Sequence, residues 1–342
     1  MRTLVVGAGA LGGTITTRLR ASGVDVSLAV RNRETAELLK RAGLQLSGTG
    51  GSASVAMVDV APLDTYSAGD RFDLIVLATK AHDAIEVAPA AIRLLREGGT
   101  LLPIQNGGVS TLLGDRFGSA VVLGGVSNLG ATMIAPGVYE QRNAGHLLIG
   151  EIAGRQSRRS ELVRDWLGRG VDVRITANMP GSIWSKLLLN CSVTTIGALA
   201  GSTMREYIGL PAGRELFDRV YAETLRVALA SGATLERMIV DPIPPGWGSA
   251  TATDAYDRWL AEIVRAYGGV KPSMLQDIER GRPTEIDFIN GYVVSRGRDV
   301  GVDTPANARI VEMVRAITRG ELAPGPTLLE RLVRSMMPLA HS

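Results

Sequence analysis

The strongest constraint on the fold of this chain is a glycine pattern between a short strand and a helix. Residues 3–6 are mostly β-branched, Gly7-Ala8-Gly9-Ala10-Leu11-Gly12 follows with the spacing G-x-G-x-x-G, and 11–21 has helical character. The pattern alone is weak, but in this context it is typical of dinucleotide binding. The first glycine permits a tight turn, the second lets the backbone approach a pyrophosphate, and the third allows close helix–strand packing. A purely structural corner is the alternative, and the context favours dinucleotide binding.

Strand and helix signals alternate through the first half of the chain. Further strands are predicted at 24–30, 73–78 and 100–104, and helices at 34–42 and 84–96. Short strands run from 121 to 150, where we expect the trailing edge of the sheet, and a last helix and strand occupy 157–175. Strands separated by helices predict right-handed crossovers. The expected fold is an α/β, Rossmann-type doubly wound, mostly parallel sheet.

The second half has helical periodicity in nearly every segment. Helices are predicted at 182–199, 212–231, 252–267, 284–299 and 305–318. We therefore expect an α/β dinucleotide-binding domain at 1–178 and an all-α domain, which contains the remaining candidate residues, at 179–342. The loop 242–248, rich in proline and glycine, could reshape a pocket mouth with Trp247 as a lid, or be an ordinary surface loop.

Composition excludes several classes of protein. The net charge of +3 is small, and no basic run is interleaved with aromatics, so nucleic-acid binding is not expected. No stretch is predicted to be long and apolar enough to span a membrane. The single cysteine, Cys191, suits a reducing compartment, and no signal peptide is recognised, so a cytoplasmic protein is expected. The helical half is compatible with a homodimer.

Metal binding is not expected either. The three histidines, His82, His146 and His341, form no cluster with the spacing of metal ligands.

Basic residues at the end of the second strand predict NADP rather than NAD. An NAD site usually has an acidic residue there, bonded to the ribose 2′-hydroxyl. This chain instead has Arg31 and Arg33, either of which could hold a 2′-phosphate, although both could also be solvated loop residues. Lys80 and Asn106 follow later strands, where ligands bind in a doubly wound sheet, or they serve as turn or cap residues.

Lys186 is unusual because the chain has 4 lysines against 33 arginines, and this one lies among leucines. Burial of an ammonium lowers its pKa, which would let it act as a proton donor near neutral pH. Asn190 and Thr194 follow at i+4 and i+8, so the three predict a polar stripe on one helix face. A solvated face is the alternative, but the surrounding residues are largely apolar.

A second polar cluster occupies residues 273–287. Ser273 and Asp277 are expected to share a helix face, and Thr284 could cap the next helix. Glu285 and Asp287 would then fall in its first turn, where acids complement the helix dipole.

Several of these motifs, in this order, resemble the ketopantoate reductase (2-dehydropantoate 2-reductase) family over nearly the whole chain. The glycine pattern is common to Rossmann proteins, whereas Trp184-Ser185-Lys186-Leu187 with Asn190 is more specific. Also specific are Ser273-Met274-Leu275-Gln276-Asp277 and Thr284-Glu285-Ile286-Asp287 with Asn290-Gly291. The family fold has a Rossmann domain followed by a helical domain.

The resemblance implies a role for each matching residue. Lys186 matches the catalytic lysine, Glu285 its accompanying glutamate, and Ser273 a serine that binds the substrate carboxylate. Asn106 and Asn190 match asparagines of the substrate site. Arg31 and Lys80 match basic residues that favour NADPH. The implied reaction is NADPH-dependent reduction of 2-dehydropantoate to (R)-pantoate, in pantothenate and coenzyme A biosynthesis, with Lys186 as general acid.

Two positions depart from the family pattern. Thr194, a substrate-site candidate, and Val270 stand where some members have asparagine. The family reaction is therefore more secure than ketopantoate as the substrate. A reductase of another 2-oxo acid or ketone is the first alternative. A non-catalytic NADPH-binding regulator is the second.

Overall fold

The computed structural model describes residues 1–57, 59–67, 69–247 and 254–336. The chain divides into two compact units, Met1–Pro180 and Gly181–Ser342. The division falls two residues after the boundary expected from the sequence.

The first unit contains strands and helices in alternation. Its strands are β1 (Thr3–Val6), β2 (Val26–Val30), β3 (Leu44–Gly48), β4 (Ala53–Val55), β5 (Val60–Pro62), β6 (Phe72–Leu77), β7 (Leu95–Pro103), β8 (Leu123–Ser127), β9 (Ala131–Ala135), β10 (Val138–Gln141), β11 (Leu147–Glu151) and β12 (Val173–Ile175). Its helices are α1 (Ala10–Ala21), α2 (Arg33–Ala42), α3 (Ala81–Arg93), α4 (Val109–Phe117) and α5 (Arg158–Leu167).

The central sheet has five parallel strands in the order β5-β2-β1-β6-β7. Every residue of β1 and β2 is buried, as expected for a parallel sheet covered on both faces. The strand order reverses beside β1, since the chain goes first to β2 and later to β6. Such a switch point is where doubly wound sheets bind ligands, at the carboxyl ends of the strands. The predicted Rossmann-type fold is confirmed.

The region from 121 to 150 departs from the predicted trailing edge. β8 and β11 do form a three-stranded sheet with β12, which joins the central sheet through a single bridge between Leu101 and Val122. β9 and β10, however, belong to a separate four-stranded sheet with the order β4-β3-β10-β9, in which β10 pairs with β3. The sequence analysis missed β3 and β4 because they are short and lie among glycines and serines. This second sheet packs against α1.

Every element of the second unit that the structure describes is helical, which confirms the predicted all-α domain. The helices are α6 (Met179–Leu189), α7 (Thr195–Ala200), α8 (Met204–Tyr207), α9 (Pro211–Ala230), α10 (Asp254–Tyr267), α11 (Ser273–Glu279), α12 (Asn290–Asp299), α13 (Pro305–Thr318) and α14 (Pro326–Ser335). A π-helical turn, Asn190–Thr194, joins α6 to α7. Residues 252 and 253, predicted to begin a helix, lie outside the described residues.

The helix predicted at 284–299 begins later. Residues Ile286–Phe288 form a 3-10 turn with Glu285 as its N-cap, and α12 starts at Asn290. Ile289, with φ −103° and ψ −94°, separates the two because its backbone is not helical. Thr284 is therefore not the cap of an α-helix.

One prediction about hydropathy is wrong. The continuous helical run Met179–Ala200 is long and apolar enough, by length and composition, to cross a membrane, with a mean hydropathy of 1.3. Within the molecule 83% of that run is buried. Burial on this scale is the pattern of a core helix, and α7 packs against α9, α11, α13 and α14.

Candidate active site

The glycine loop has the geometry expected of a pyrophosphate site. Gly7 has φ +107°, and a Cβ there would lie 2.7 Å from Cγ2 of Thr79. A Cβ on Gly12 would collide with the carbonyl oxygen of Gly7, whereas one on Gly9 would meet nothing within 4 Å. Gly9 is also the N-cap of α1, with no side-chain cap and no acid in the first turn. The first amides of α1 can therefore receive an anion.

The basic candidates lie at the same edge of the sheet as the glycine loop. The amide of Gly7 donates to the carbonyl of Ala29, 2.8 Å away, which ties the loop to the end of β2. Arg31 follows β2 directly, its side chain is 80% exposed, and its Nη2 lies 3.3 Å from Oδ2 of Asp83. Lys80, the N-cap of α3, is exposed. Among the residues that the structure describes, Asp83 pairs with Arg31, and a phosphate could displace this contact.

Gln105 is a residue of this edge that the sequence analysis did not select. Its Nε2 donates to the carbonyls of Leu77 at 2.8 Å and Thr79 at 2.9 Å, which links the ends of β6 and β7. Its Oε1 and the Oγ1 of Thr79 are buried without a hydrogen-bond partner among the described residues. Asn106, next to it, is half-buried. The position of Gln105 beside Asn106, at the end of a strand, is the sequence signal that could have identified it.

Lys186, Asn190 and Thr194 lie on the accessible side of an otherwise buried helix. They are the residues between 181 and 200 that are half-buried, and all others in that range are buried. In an α-helix each step of four residues drifts by about 40°. The π turn offsets this drift because it has more residues per turn. Its signature is the amide of Thr195 donating to the carbonyl of Asn190, five residues back.

Burial changes the acidity of the lysine. It lowers the pKa of Lys186 to about 8, and the negative charge of Glu285 acts in the opposite direction. The structure therefore brings Glu285, which precedes the 3-10 turn, into electrostatic range of Lys186. An ammonium with a pKa near 8 can both donate a proton and recover one close to neutral pH. Arginine cannot do this, because its pKa is far higher.

Ser273 lies at the start of α11, which packs against α7. A Cβ on Gly197 would lie 2.7 Å from Cγ of Pro272, so the start of α11 is close against the continuation of the lysine helix. Ser273 is exposed, whereas Asp277 is buried, so the face they were predicted to share is not uniformly accessible. Val270, three residues earlier, is 59% exposed.

Asp287 is the acidic residue in the first turn of the 3-10 helix, and it also pairs with an arginine of α13. Its Oδ1 accepts from Nη2 and Nε of Arg315 at 2.6 and 3.0 Å, on the surface between the 3-10 turn and α13. This pair anchors the segment that carries Glu285.

A series of buried, hydrogen-bonded polar side chains extends from the end of the π turn to α9. The hydroxyl of Thr195 donates to Oδ1 of Asn290 at 2.8 Å, and Nδ2 of Asn290 donates to Oδ1 of Asn307 at 2.9 Å. Nδ2 of Asn307 donates to Oε2 of Glu223 at 2.8 Å. The same carboxylate accepts from the amides of Ala306 and Asn307 at the start of α13. We call these four side chains the buried relay. The network holds Thr195, the residue that closes the π turn, by one hydrogen bond within the core.

The described residues include two of the three histidines. Among the described residues, one group has the proximity of a metal site: ligand atoms of His82, Asp83 and Glu86 lie within 4.8 Å of one another. These groups are exposed or half-exposed, and Asp83 already pairs with Arg31. Nε2 of His146 lies 3.2 Å from Nδ2 of Asn128. His341 lies outside the described residues.

Two family models match the chain. Residues 3–154 match the family described as "Ketopantoate reductase PanE/ApbA", and 178–318 match "Ketopantoate reductase PanE/ApbA C terminal". Together the two matches cover most of the chain. A 2-dehydropantoate 2-reductase of Halobacterium salinarum is 26% identical over 321 residues, covering 93% of this chain and 99% of the relative.

Solved structures agree on the fold. The 2-dehydropantoate 2-reductase of Geobacter metallireducens has a TM-score of 0.74 and 28% identity, covering 97% of this chain and 99% of that one. D-mandelate dehydrogenase, in a ternary structure with NADH and anilino(oxo)acetate, has a TM-score of 0.79 and 22% identity, covering 94% and 99%. The second likeness shows the fold alone.

Proposed function

Because the chain belongs to the ketopantoate reductase family, we propose that it reduces 2-dehydropantoate to (R)-pantoate with NADPH. The family makes it an oxidoreductase that acts on a small molecule. The observation that carries the finer proposal is Lys186: a half-buried lysine whose pKa is lowered to about 8, beside Glu285, on a helix that is otherwise buried.

The second unit supplies the proton of the reaction. NADPH, when bound, supplies the hydride that adds to the carbonyl carbon. The ammonium of Lys186 donates a hydrogen bond to the carbonyl oxygen and transfers its proton to the alkoxide as the C=O bond becomes C–OH. Glu285 stabilises the charged lysine and orients it. Asn190 and Ser273 offer an amide and a hydroxyl for the substrate's polar groups.

The first unit supplies the cofactor contacts. The amides at the start of α1 receive the pyrophosphate, and the open space at Gly9 admits it. Arg31 binds the 2′-phosphate in place of its contact with Asp83, and Lys80 adds a second positive charge at the same edge. Asn106 serves the nicotinamide end and the substrate. The preference for NADPH over NADH is supported by the absence of an acid in Arg31-Asn32-Arg33.

A second candidate is the reduction of a different 2-oxo acid. It is favoured by Thr194, which stands in the lysine stripe where some family members have asparagine, and by the exposed Val270 near Ser273. A methyl and a hydroxyl at Thr194 would contact a substrate group differently from an amide.

The deciding experiment measures NADPH oxidation by pure protein with a panel of 2-oxo acids. Ketopantoate should give the highest kcat/KM of the panel. A higher value for another 2-oxo acid would select the second candidate. Oxidation of NADPH with any 2-oxo acid of the panel excludes a non-catalytic NADPH-binding regulator. If no member of the panel supports NADPH oxidation, the proposed reductase activity is contradicted.

A further inference from the structure

Tyr139 lies beneath the glycine loop, although no sequence motif marks it. It belongs to β10 of the four-stranded sheet and is fully buried. Its ring occupies the place where a side chain at position 13 would be: a Cβ on Gly13 would overlap Cζ and both Cε atoms. Gly13 follows the G-x-G-x-x-G pattern and is not explained by it. The fourth glycine of the run is therefore required by the tyrosine.

The hydroxyl of Tyr139 reaches the loop itself. It donates to the carbonyl oxygen of Ala8 over 3.0 Å. Burial raises the pKa of Tyr139 to about 12, so the phenol keeps its proton and remains a donor throughout the neutral range.

The bonded carbonyl and the amide of Gly9 belong to one peptide group. A trans peptide is planar, and its C=O and N–H point in opposite directions. Holding the Ala8 carbonyl toward Tyr139 consequently turns the Gly9 amide the other way. Gly9 is the residue at which the loop has open space, as a pyrophosphate requires.

The same strand holds α1 at a second point. Oε1 of Gln141, two residues after Tyr139, accepts from Nε and Nη2 of Arg18 at 3.2 and 3.1 Å. Arg18 also donates to the carbonyls of Thr49 and Gly50, just beyond β3. β10 therefore contacts α1 near both its N-terminal loop and its C-terminal half, which limits how the helix can shift.

We propose that Tyr139 is a positioning residue for the cofactor: its hydroxyl fixes the peptide between Ala8 and Gly9 so that the Gly9 amide faces the pyrophosphate. This inference rests on the proposed dinucleotide-dependent function. It gives the four-stranded sheet a role in cofactor binding, because a side chain of that sheet donates a hydrogen bond to the glycine loop. The other features of the loop that favour cofactor binding belong to the backbone of its glycines.

The test compares Tyr139→Phe with the wild type, using two probes. NADPH carries the pyrophosphate, whereas 2′-AMP carries adenosine and the 2′-phosphate without it. Loss of one hydrogen bond should raise the Kd and KM of NADPH about three- to tenfold. The Kd of 2′-AMP, the KM of the oxo acid and kcat should not change. Tyr221→Phe is the matched control, because it removes a buried tyrosine bond of 2.9 Å to the carbonyl of Pro242 in the other unit.

The outcomes separate the two proposals. An unchanged Kd for NADPH in Tyr139→Phe overturns the positioning role. So does an equal loss for NADPH and 2′-AMP, or a loss that Tyr221→Phe shares, because either would mean general destabilisation. If wild-type protein binds neither NADPH nor NADH, the proposed function itself fails and this inference fails with it.

Discussion

The glycine loop of the first unit and the lysine helix of the second prepare their sites in different ways. The loop works through the backbone: a Cβ on Gly7 or Gly12 would collide with its surroundings, and Gly9 leaves open space before the first amides of α1. The lysine helix works through side chains, and its shape depends on a π turn supported by the buried relay. A backbone site is specified by a short local motif. A side-chain site also needs partners distant in sequence, such as Asn290 and Glu223.

The largest expected effect is a loss of catalysis without a change in cofactor binding at the glycine loop. Lys186→Ala removes the proton donor, so kcat should fall about 10²- to 10⁴-fold, the range for loss of a general acid. Binding of NADPH, measured by calorimetry, should stay at the wild-type value. Lys40→Ala, at an exposed lysine paired with Glu37 on α2, is the control and should leave both unchanged. Near-normal turnover of Lys186→Ala would remove the lysine from the mechanism.

The next effect tests whether the buried relay stabilises the helical unit that carries the side-chain site. Glu223→Ala leaves the amides of Ala306 and Asn307 and the Asn307 side chain without their acceptor in the core. We expect a loss of about 2–4 kcal/mol in the free energy of unfolding, measured with denaturant. Glu215→Ala, which removes a surface pair with Arg219, should cost less than about 1 kcal/mol. Equal losses in the two variants would show that the relay adds no special stability.

A smaller effect concerns the side-chain component of the first unit. Arg31→Ala should weaken NADPH about tenfold or more, because a charge-assisted bond to the 2′-phosphate is lost. It should weaken 2′-AMP equally and leave NADH unaffected, the reverse of the pattern expected for Tyr139→Phe. The three dissociation constants can be measured by titration of intrinsic fluorescence. Equal weakening of NADPH and NADH would mean that Arg31 does not recognise the 2′-phosphate.

The smallest effect is a pH dependence located in the second unit. Lys186 is protonated below its pKa of about 8, so the rate of reduction should fall as pH rises through 8, by about tenfold between pH 7 and 9. The reverse oxidation needs the neutral amine and should rise over the same range. A pH profile of kcat/KM in both directions measures this, because kcat/KM reports the pKa of the enzyme before it binds the varied substrate. A reduction rate that stays level to pH 10 would contradict the lowered pKa.

The lowered pKa of Lys186 also affects the stability of the fold, which should rise with pH over a range in which the rate of reduction falls. The folded-state pKa of Lys186 lies below the ordinary value of 10.5, so the unfolded chain binds the proton more tightly between the two values. Burial of the charge therefore destabilises the fold below pH 8, and this contribution is relieved as pH rises toward 10.5. Comparison with Lys186→Met isolates it, because that variant should lack this component of the pH dependence.

Local patterns in the sequence predicted the elements that carry strong periodicity. β1, β6 and α9 were found within a residue or two, and the polar stripe at Lys186, Asn190 and Thr194 was recognised from its spacing. The roles of those residues remain predictions. The π turn could not be predicted, because its hydrogen bond adds one residue to a pattern that still reads as a regular helix.

Other features depend on contacts between distant residues. β3 and β4 are short, and the pairing of β3 with β10 brings together residues some ninety positions apart along the chain. Tyr139 and Gln105 lie in no motif, and each acts on a carbonyl supplied by another segment. The helix beginning at Asn290 was placed too early because Ile289 interrupts a sequence that otherwise favours helix.

The apolar run Met179–Ala200 has a consequence for biosynthesis. Its partner α14, residues Pro326–Ser335, packs against α7 but is synthesised well after it. At about 5–20 residues per second, translation leaves a delay of roughly ten seconds between the two. During that interval the nascent chain contains a segment that is long and apolar enough, by length and composition, to cross a membrane. Chaperones that shield such segments should therefore bind ribosome-held chains ending before α14 more strongly than the finished protein.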